Sequence, residues 1–172
     1  MGLVRLADDF SDEAPQRTHD DHEHFSRSAR RAWDSVDGQM TKFVVDCGVV
    51  LHLAREGAEV PAEHELLAPT LLRSQTLSAL HEAVHEGGIS EDVALERLER
   101  IWAMRIRLLG DAVLRRLAWK IAEQLGWAET YDAEYVALTQ LQADAFVTLD
   151  ADLARRVEGV VPRATIDALQ AS

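Results

Sequence analysis

Short apolar runs alternate with helical stretches along most of this chain, and that alternation restricts the fold more than any other feature. Phe43-Val44-Val45-Asp46-Cys47 is apolar and β-branched, and Gly48 then opens a helical stretch carrying Val49, Val50, Leu51 and Leu53. Residues 57–69 read as a loop. A helix from about Thr70 to Glu86 is stopped by Gly87-Gly88, and another begins at Ser90 and runs to about Ala103, with Glu91 and Asp92 favourably placed in its first turn. Arg105 to Leu109 is a candidate strand, Asp111 caps a helix ended by Gly126, and Thr130 to Gln142 makes a further helix. Ala145 to Leu149 is the next strand, a short helix runs from about Ala151 to Val157, and Val160-Val161 is an edge segment. The expected fold class is therefore α/β: a small three-layer sandwich with a mostly parallel central sheet flanked by helices.

A chain of 172 residues, 47% hydrophobic, can bury one good core but not two comfortable ones. That core is expected over residues 40–172, and residues 1–39 form a polar arm. Within the arm, His24 to Val36 places Phe25, Ala29, Ala32, Trp33 and Val36 on one helical face beside Arg27, Arg30 and Arg31. His19, His22 and His24 form a solvated polar run, since no cysteine accompanies them as a transition-metal ligand. The single Cys47 excludes an internal disulfide, and neither an 18-residue apolar run nor a signal-type start is present. A soluble protein of a reducing compartment, most simply the cytoplasm, with no membrane partner, is the expectation.

Three aspartates carry the chemistry. Asp46 ends the first apolar run, Asp150 ends Phe146-Val147-Thr148-Leu149, and Asp132 lies in the first turn of its helix. Each has an ordinary explanation as a helix cap or first-turn acid. In a parallel sheet, however, strand ends and the adjoining helix starts open onto one crevice, so the three can converge. Carboxylates that converge without a basic partner repel one another, and a hard divalent cation such as Mg²⁺ or Mn²⁺ relieves the repulsion. Thr148, two residues before Asp150 on an alternating strand, faces the same side and can orient a ligand or a water. A net charge of −12 argues against a broad grip on duplex nucleic acid, yet metal ions can supply local positive charge at one scissile phosphate.

The segments around these acids resemble a known family. Phe43-Val44-Val45-Asp46, Leu67-Ala68-Pro69-Thr70-Leu71-Leu72-Arg73-Ser74-Gln75, Thr130-Tyr131-Asp132-Ala133-Glu134-Tyr135-Val136-Ala137-Leu138 and Phe146-Val147-Thr148-Leu149-Asp150-Ala151-Asp152-Leu153 are similar, in order and spacing, to a PIN domain of the VapC toxin type. The resemblance spans about residues 42–170. It implies that Asp46, Asp132 and Asp150 are catalytic and hold one or two Mg²⁺ or Mn²⁺ ions that cut RNA. It also implies a cognate antitoxin partner and a homodimer built on the helices between Thr70 and Ala103. The chain departs from the family at Gln75, where a glutamate is usual, so weaker metal binding is expected there. Glu82 is seven residues on and roughly 10 Å further along the helix, too far to replace it. Asp152 is a nearer source of negative charge, though it also suits a solvated helix start.

Among the remaining residues, Arg155 and Arg156 are weak candidates for RNA phosphates, little more than one turn beyond Asp150. Arg115-Arg116 read as a solvated face and His81 and His85 as exposed. Trp102, Trp119 and Trp127 read as core or dimer packing, and Cys47 as a small buried residue whose thiolate Asp46 disfavours. The leading expectation is a metal-dependent endoribonuclease toxin neutralised by an antitoxin. The alternative is a PIN-like module, its catalysis weakened by Gln75, that binds RNA or a protein. A receiver-like or phosphatase-like domain is disfavoured, because Asp46 has no second acid two residues on and no conspicuous lysine follows a late strand.

Overall fold

The structure, a computed structural model, describes residues 40–171. The arm over 1–39, with its expected amphipathic helix and histidine run, lies outside the described residues.

Five strands form one sheet in the order β3-β2-β1-β4-β5, and every neighbouring pair is parallel. They are β1 (Thr41–Val45), β2 (His64–Pro69), β3 (Ile106–Leu109), β4 (Ala145–Val147) and β5 (Arg163–Ala164). The helices are α1 (Cys47–Glu56), α2 (Leu72–His85), α3 (Glu91–Ala103), α4 (Ala112–Leu125), α5 (Tyr131–Gln142) and α6 (Ala151–Arg156), with a 3₁₀ turn at Ile166–Leu169. The α/β sandwich expected from the alternation is present, and the sheet is parallel throughout.

Local chemistry accounts for the helices. Asp46, Ser90, Asp111 and Asp150 each accept a backbone N–H of the helix they precede, which satisfies donors that a helix start leaves unpaired. Gly57 and Gly126 end α1 and α4 in the left-handed conformation, at φ 63° and 67°, where a side chain would be strained. Val49, Val50, Leu53 and Ala54 give α1 its buried face, and Leu114, Ala118, Ile121 and Ala122 do the same for α4. Helix α1 packs with α2 and α3, while α4 packs on α5, which lies against β1, β2 and β4.

Strand β2, interior to the sheet between β3 and β1, lies where the sequence reads as a loop. His64-Glu65-Leu66-Leu67-Ala68-Pro69 contains no β-branched residue and no alternation, so it lacks the local signature of a strand. It is a strand because both its faces are covered: Leu66, Leu67 and Ala68 are almost wholly buried, in register with Phe43 and Val44 of β1 and with β3. The last edge strand also differs from expectation, at Arg163–Ala164 rather than Val160-Val161. Val161 instead enters the core after the turn that follows α6.

The chain lays down β1, β2 and β3 in one direction and then returns to place β4 on the other side of β1. The switch point of the sheet therefore lies between β1 and β4, where a parallel sheet opens a crevice at its carboxyl edge.

Candidate metal centre

Asp46 follows the last residue of β1, and the register pairs Val45 with Val147 of β4. Thr148 thus stands beside Asp46, near enough for its side chain to lower that carboxyl, while its Oγ1 accepts the Asp150 N–H at 3.0 Å. One threonine neighbours two of the three expected acids across the switch point. Asp132 enters from the first turn of α5.

Asp46 is only 8% exposed. Burial raises its carboxyl above the ordinary carboxylate range, Thr148 and the Val49 N–H partly offset this, and the charges of Asp150 and Asp132 push it further up. Asp150 and Asp132 are therefore both near enough to act on the buried Asp46. Asp150 is exposed and is held low by the Leu153 N–H first, against partial desolvation, with the Asp152 N–H, Arg156 and Arg155 adding to the lowering. Cys47 is pushed up to about 11, by burial and then by Asp46, so its thiol stays protonated at neutral pH.

Each acid also has another task. Asp46 Oδ1 caps α1 through Val49 N at 2.8 Å, and Asp150 Oδ1 caps α6 through Asp152 N at 2.8 Å and Leu153 N at 3.0 Å. Asp132 Oδ2 accepts from Arg156 at 2.7 Å, and the Arg156 guanidinium lies 4.7 Å above the Trp127 ring. The expectation of acids without a basic partner thus fails for Asp132, because α6 carries Arg156 back over the start of α5. Among the described residues, no three His, Cys, Asp or Glu side chains stand close enough to hold one ion as placed. The donor chemistry nonetheless suits a hard divalent cation, since it is all oxygen. Among the described residues no cation pairs with Asp46, and a buried acid in that condition is stabilised by a cation brought to it.

Gln75 meets this group through Tyr135. The Tyr135 hydroxyl donates to Gln75 Oε1 at 2.5 Å, and burial, then the neighbouring Cys47, Asp46, Asp132 and Glu134, hold that hydroxyl protonated. The amide oxygen that could serve a cation is already a hydrogen-bond acceptor. Tyr135 was not singled out from sequence, although its place three residues after Asp132 on one helical face was the available signal. Asp152 forms an ion pair with Arg155 on the surface, both being about three-quarters exposed, which agrees with a solvated helix start. Asp150, Asp152, Arg155 and Arg156 line a shallow open depression beside the acids.

Other expectations resolve simply. His81 and His85 are exposed. Trp102 and Trp119, at 72% and 62% exposure, are not core residues, while Trp127 is half-buried beneath Arg156.

The raised ionisation of Asp46 has a stability consequence. A carboxyl whose folded value lies above its ordinary 3.8 contributes stability that is complete below that value and is lost as pH rises through the folded value. Asp46→Asn keeps the cap and removes the charge. In chelator at neutral pH the variant is expected to melt about 2–4 °C above the parent, the shift that roughly 1 kcal/mol produces at this size. The gap should close under acid; a variant that melts lower at every pH would show that the charge is compensated.

No family model and no curated protein matches the sequence. Several solved structures are similar to it, two of which follow. PAE2754 from Pyrobaculum aerophilum aligns with a TM-score of 0.61 at 20% identity, over 77% of this chain and 95% of that one. VapBC2 from Rickettsia felis, bound to a DNA fragment from its promoter, aligns with a TM-score of 0.52 at 9% identity, over 73% and 98%. At these identities the likeness establishes the fold, and the fold is that of the PIN-domain proteins.

Proposed function

We propose that the protein is a metal-dependent endoribonuclease of the PIN type, with Asp46, Asp132 and Asp150 as its catalytic and metal-holding residues and Mg²⁺ or Mn²⁺ as cofactor. The observation that carries this reading is a buried acid, Asp46, at the switch point of a parallel sheet with the charges of Asp150 and Asp132 acting on it. A bound divalent cation would acidify a water and neutralise charge developing on the phosphate. The chain's own residues do the rest. Thr148 holds the Asp150 backbone next to Asp46, the two caps lock both carboxylates to rigid helix starts, and Tyr135 holds Gln75 beside them. Cleavage of total RNA and purified tRNA in Mn²⁺, compared with Asp132→Asn, tests the reading; equal cleavage by both refutes it.

A second reading, a PIN-like module with weakened catalysis that binds RNA or protein, draws support from Gln75 and from the Arg156 contact on Asp132. Gln75→Glu separates the two. A glutamate can accept the Tyr135 hydroxyl with one oxygen and offer the other to a cation, so Mn²⁺ affinity is expected to rise about tenfold, equivalent to about 1.4 kcal/mol. Unchanged affinity by calorimetry would remove position 75 from the site.

The same reading includes a cytoplasmic location and a cognate antitoxin; one similar structure is a VapBC complex. Among the described residues no helix is long and apolar enough to cross a membrane. A homodimer through α2 and α3 is supported by Leu77, Leu95 and Trp102, which are all more than half exposed. Sedimentation is expected to give a dimer at micromolar concentration, and a monomer there would refute it.

A further inference from the structure

The Asp132–Arg156 contact joins the acidic group to the only guanidinium among the described residues that is also stacked on an aromatic ring. We propose that Arg156 competes with the divalent cation for Asp132 and, once displaced by it, binds a phosphate of the RNA strand. This rests on the metal-dependent reading above.

Three observations support it. First, the pair is half-exposed, with Arg156 at 45% and Asp132 at 39%, so solvent screens it and little is lost on breaking it. A divalent cation bound by Asp132 would outbid the guanidinium for the carboxylate and repel it. Second, Arg156 would not be set loose. Its guanidinium carbon lies over the Trp127 ring, 4.7 Å from the centroid, so the stem and ring contact keep it at the rim while its N–H groups are freed. Third, those groups border the open depression shared with Asp150, Asp152 and Arg155, which is where a strand bound at the acids would run.

The chemistry of the freed group suits a phosphate. A guanidinium offers a rigid fork of donors that matches two phosphate oxygens, and it stays charged at any working pH. Arg155 carries the same group but is paired with Asp152 on the open surface and contacts neither Asp132 nor Trp127. The exchange would couple the two ligands: a cation makes the phosphate grip available, and RNA that holds Arg156 away from Asp132 makes the cation bind better.

Calorimetric titration with Mn²⁺ alone, followed by anisotropy of a short fluorescent 2′-O-methyl RNA in Mn²⁺, tests the proposal on the full chain. Arg156→Gln is expected to bind Mn²⁺ about two- to fivefold tighter, the fold-change matching a half-exposed ion pair. It should bind the oligonucleotide more weakly, with a salt dependence shallower by about one phosphate contact. Arg156→Lys keeps the charge and should hold Mn²⁺ affinity near the parent's while still weakening the oligonucleotide. Equal or weaker Mn²⁺ binding by Arg156→Gln would make Arg156 a support for Asp132 and overturn the competition. Unchanged oligonucleotide binding would overturn the phosphate contact. Mn²⁺ uptake that vanishes in Asp132→Asn yet is identical in Arg156→Gln defeats this inference alone, whereas no uptake by the parent defeats the metal-dependent reading with it.

Discussion

Asparagine in place of Asp132 is expected to lower Mn²⁺-dependent RNA cleavage by about a hundred- to a thousandfold, the scale at which loss of one preorganised charge-stabilising group acts. The substitution is nearly isosteric and its amide oxygen can still accept from Arg156, so the fold and the Trp127 contact remain. What it removes is one of the two negative charges that act on the buried Asp46. A thermal melt matching the parent's would exclude unfolding as the cause. Cleavage within a few-fold of the parent would place the chemistry elsewhere, because neither remaining aspartate can take over from the start of α5.

Phe146→Ala should be the most destabilising single change near the site, costing about 3–5 kcal/mol. Phe146 is fully buried on β4, between β1 and β5, and its ring stacks on Tyr135 with centroids 6.2 Å apart. Truncation leaves a cavity that a short three-residue strand with fixed neighbours cannot close. It also frees the ring that holds Gln75, so the loss reaches the acidic group through packing. Urea unfolding checks the value, and a loss below about 1.5 kcal/mol would mean that the strand repacks around the gap.

The positions of Asp46, Asp132 and Asp150 at element boundaries were legible in sequence, because such boundaries are set by short-range pattern. The helix ends at Gly57 and Gly126 were legible for the same reason. Strand β2 was not, since His64 to Pro69 becomes a strand only through neighbours on both sides, and no local preference records that. Arg156 on Asp132 was hidden differently. The two residues are 24 apart in sequence, and their meeting depends on how the six-residue α6 turns after β4. Tyr135 on Gln75 spans 60 residues and depends on α2 and α5 both reaching the sheet edge. Contacts of that kind belong to tertiary packing, which periodicity does not encode.

The caps on α1 and α6 bear on how a protein of this design could lose activity over evolutionary time. Because Asp46 and Asp150 each spend one oxygen on a helix start, replacement by most residues would damage folding and be removed by selection on abundance alone. Asparagine is the exception: it caps nearly as well as aspartate but brings no charge. A single base change converts an aspartate codon to an asparagine codon, so a lineage could pass from nuclease to inert binding module in one step while its fold stayed intact. Descendants carrying asparagine at these two positions would therefore be read as silenced copies, and those carrying alanine or glycine as chains whose helix starts had first been secured by other means.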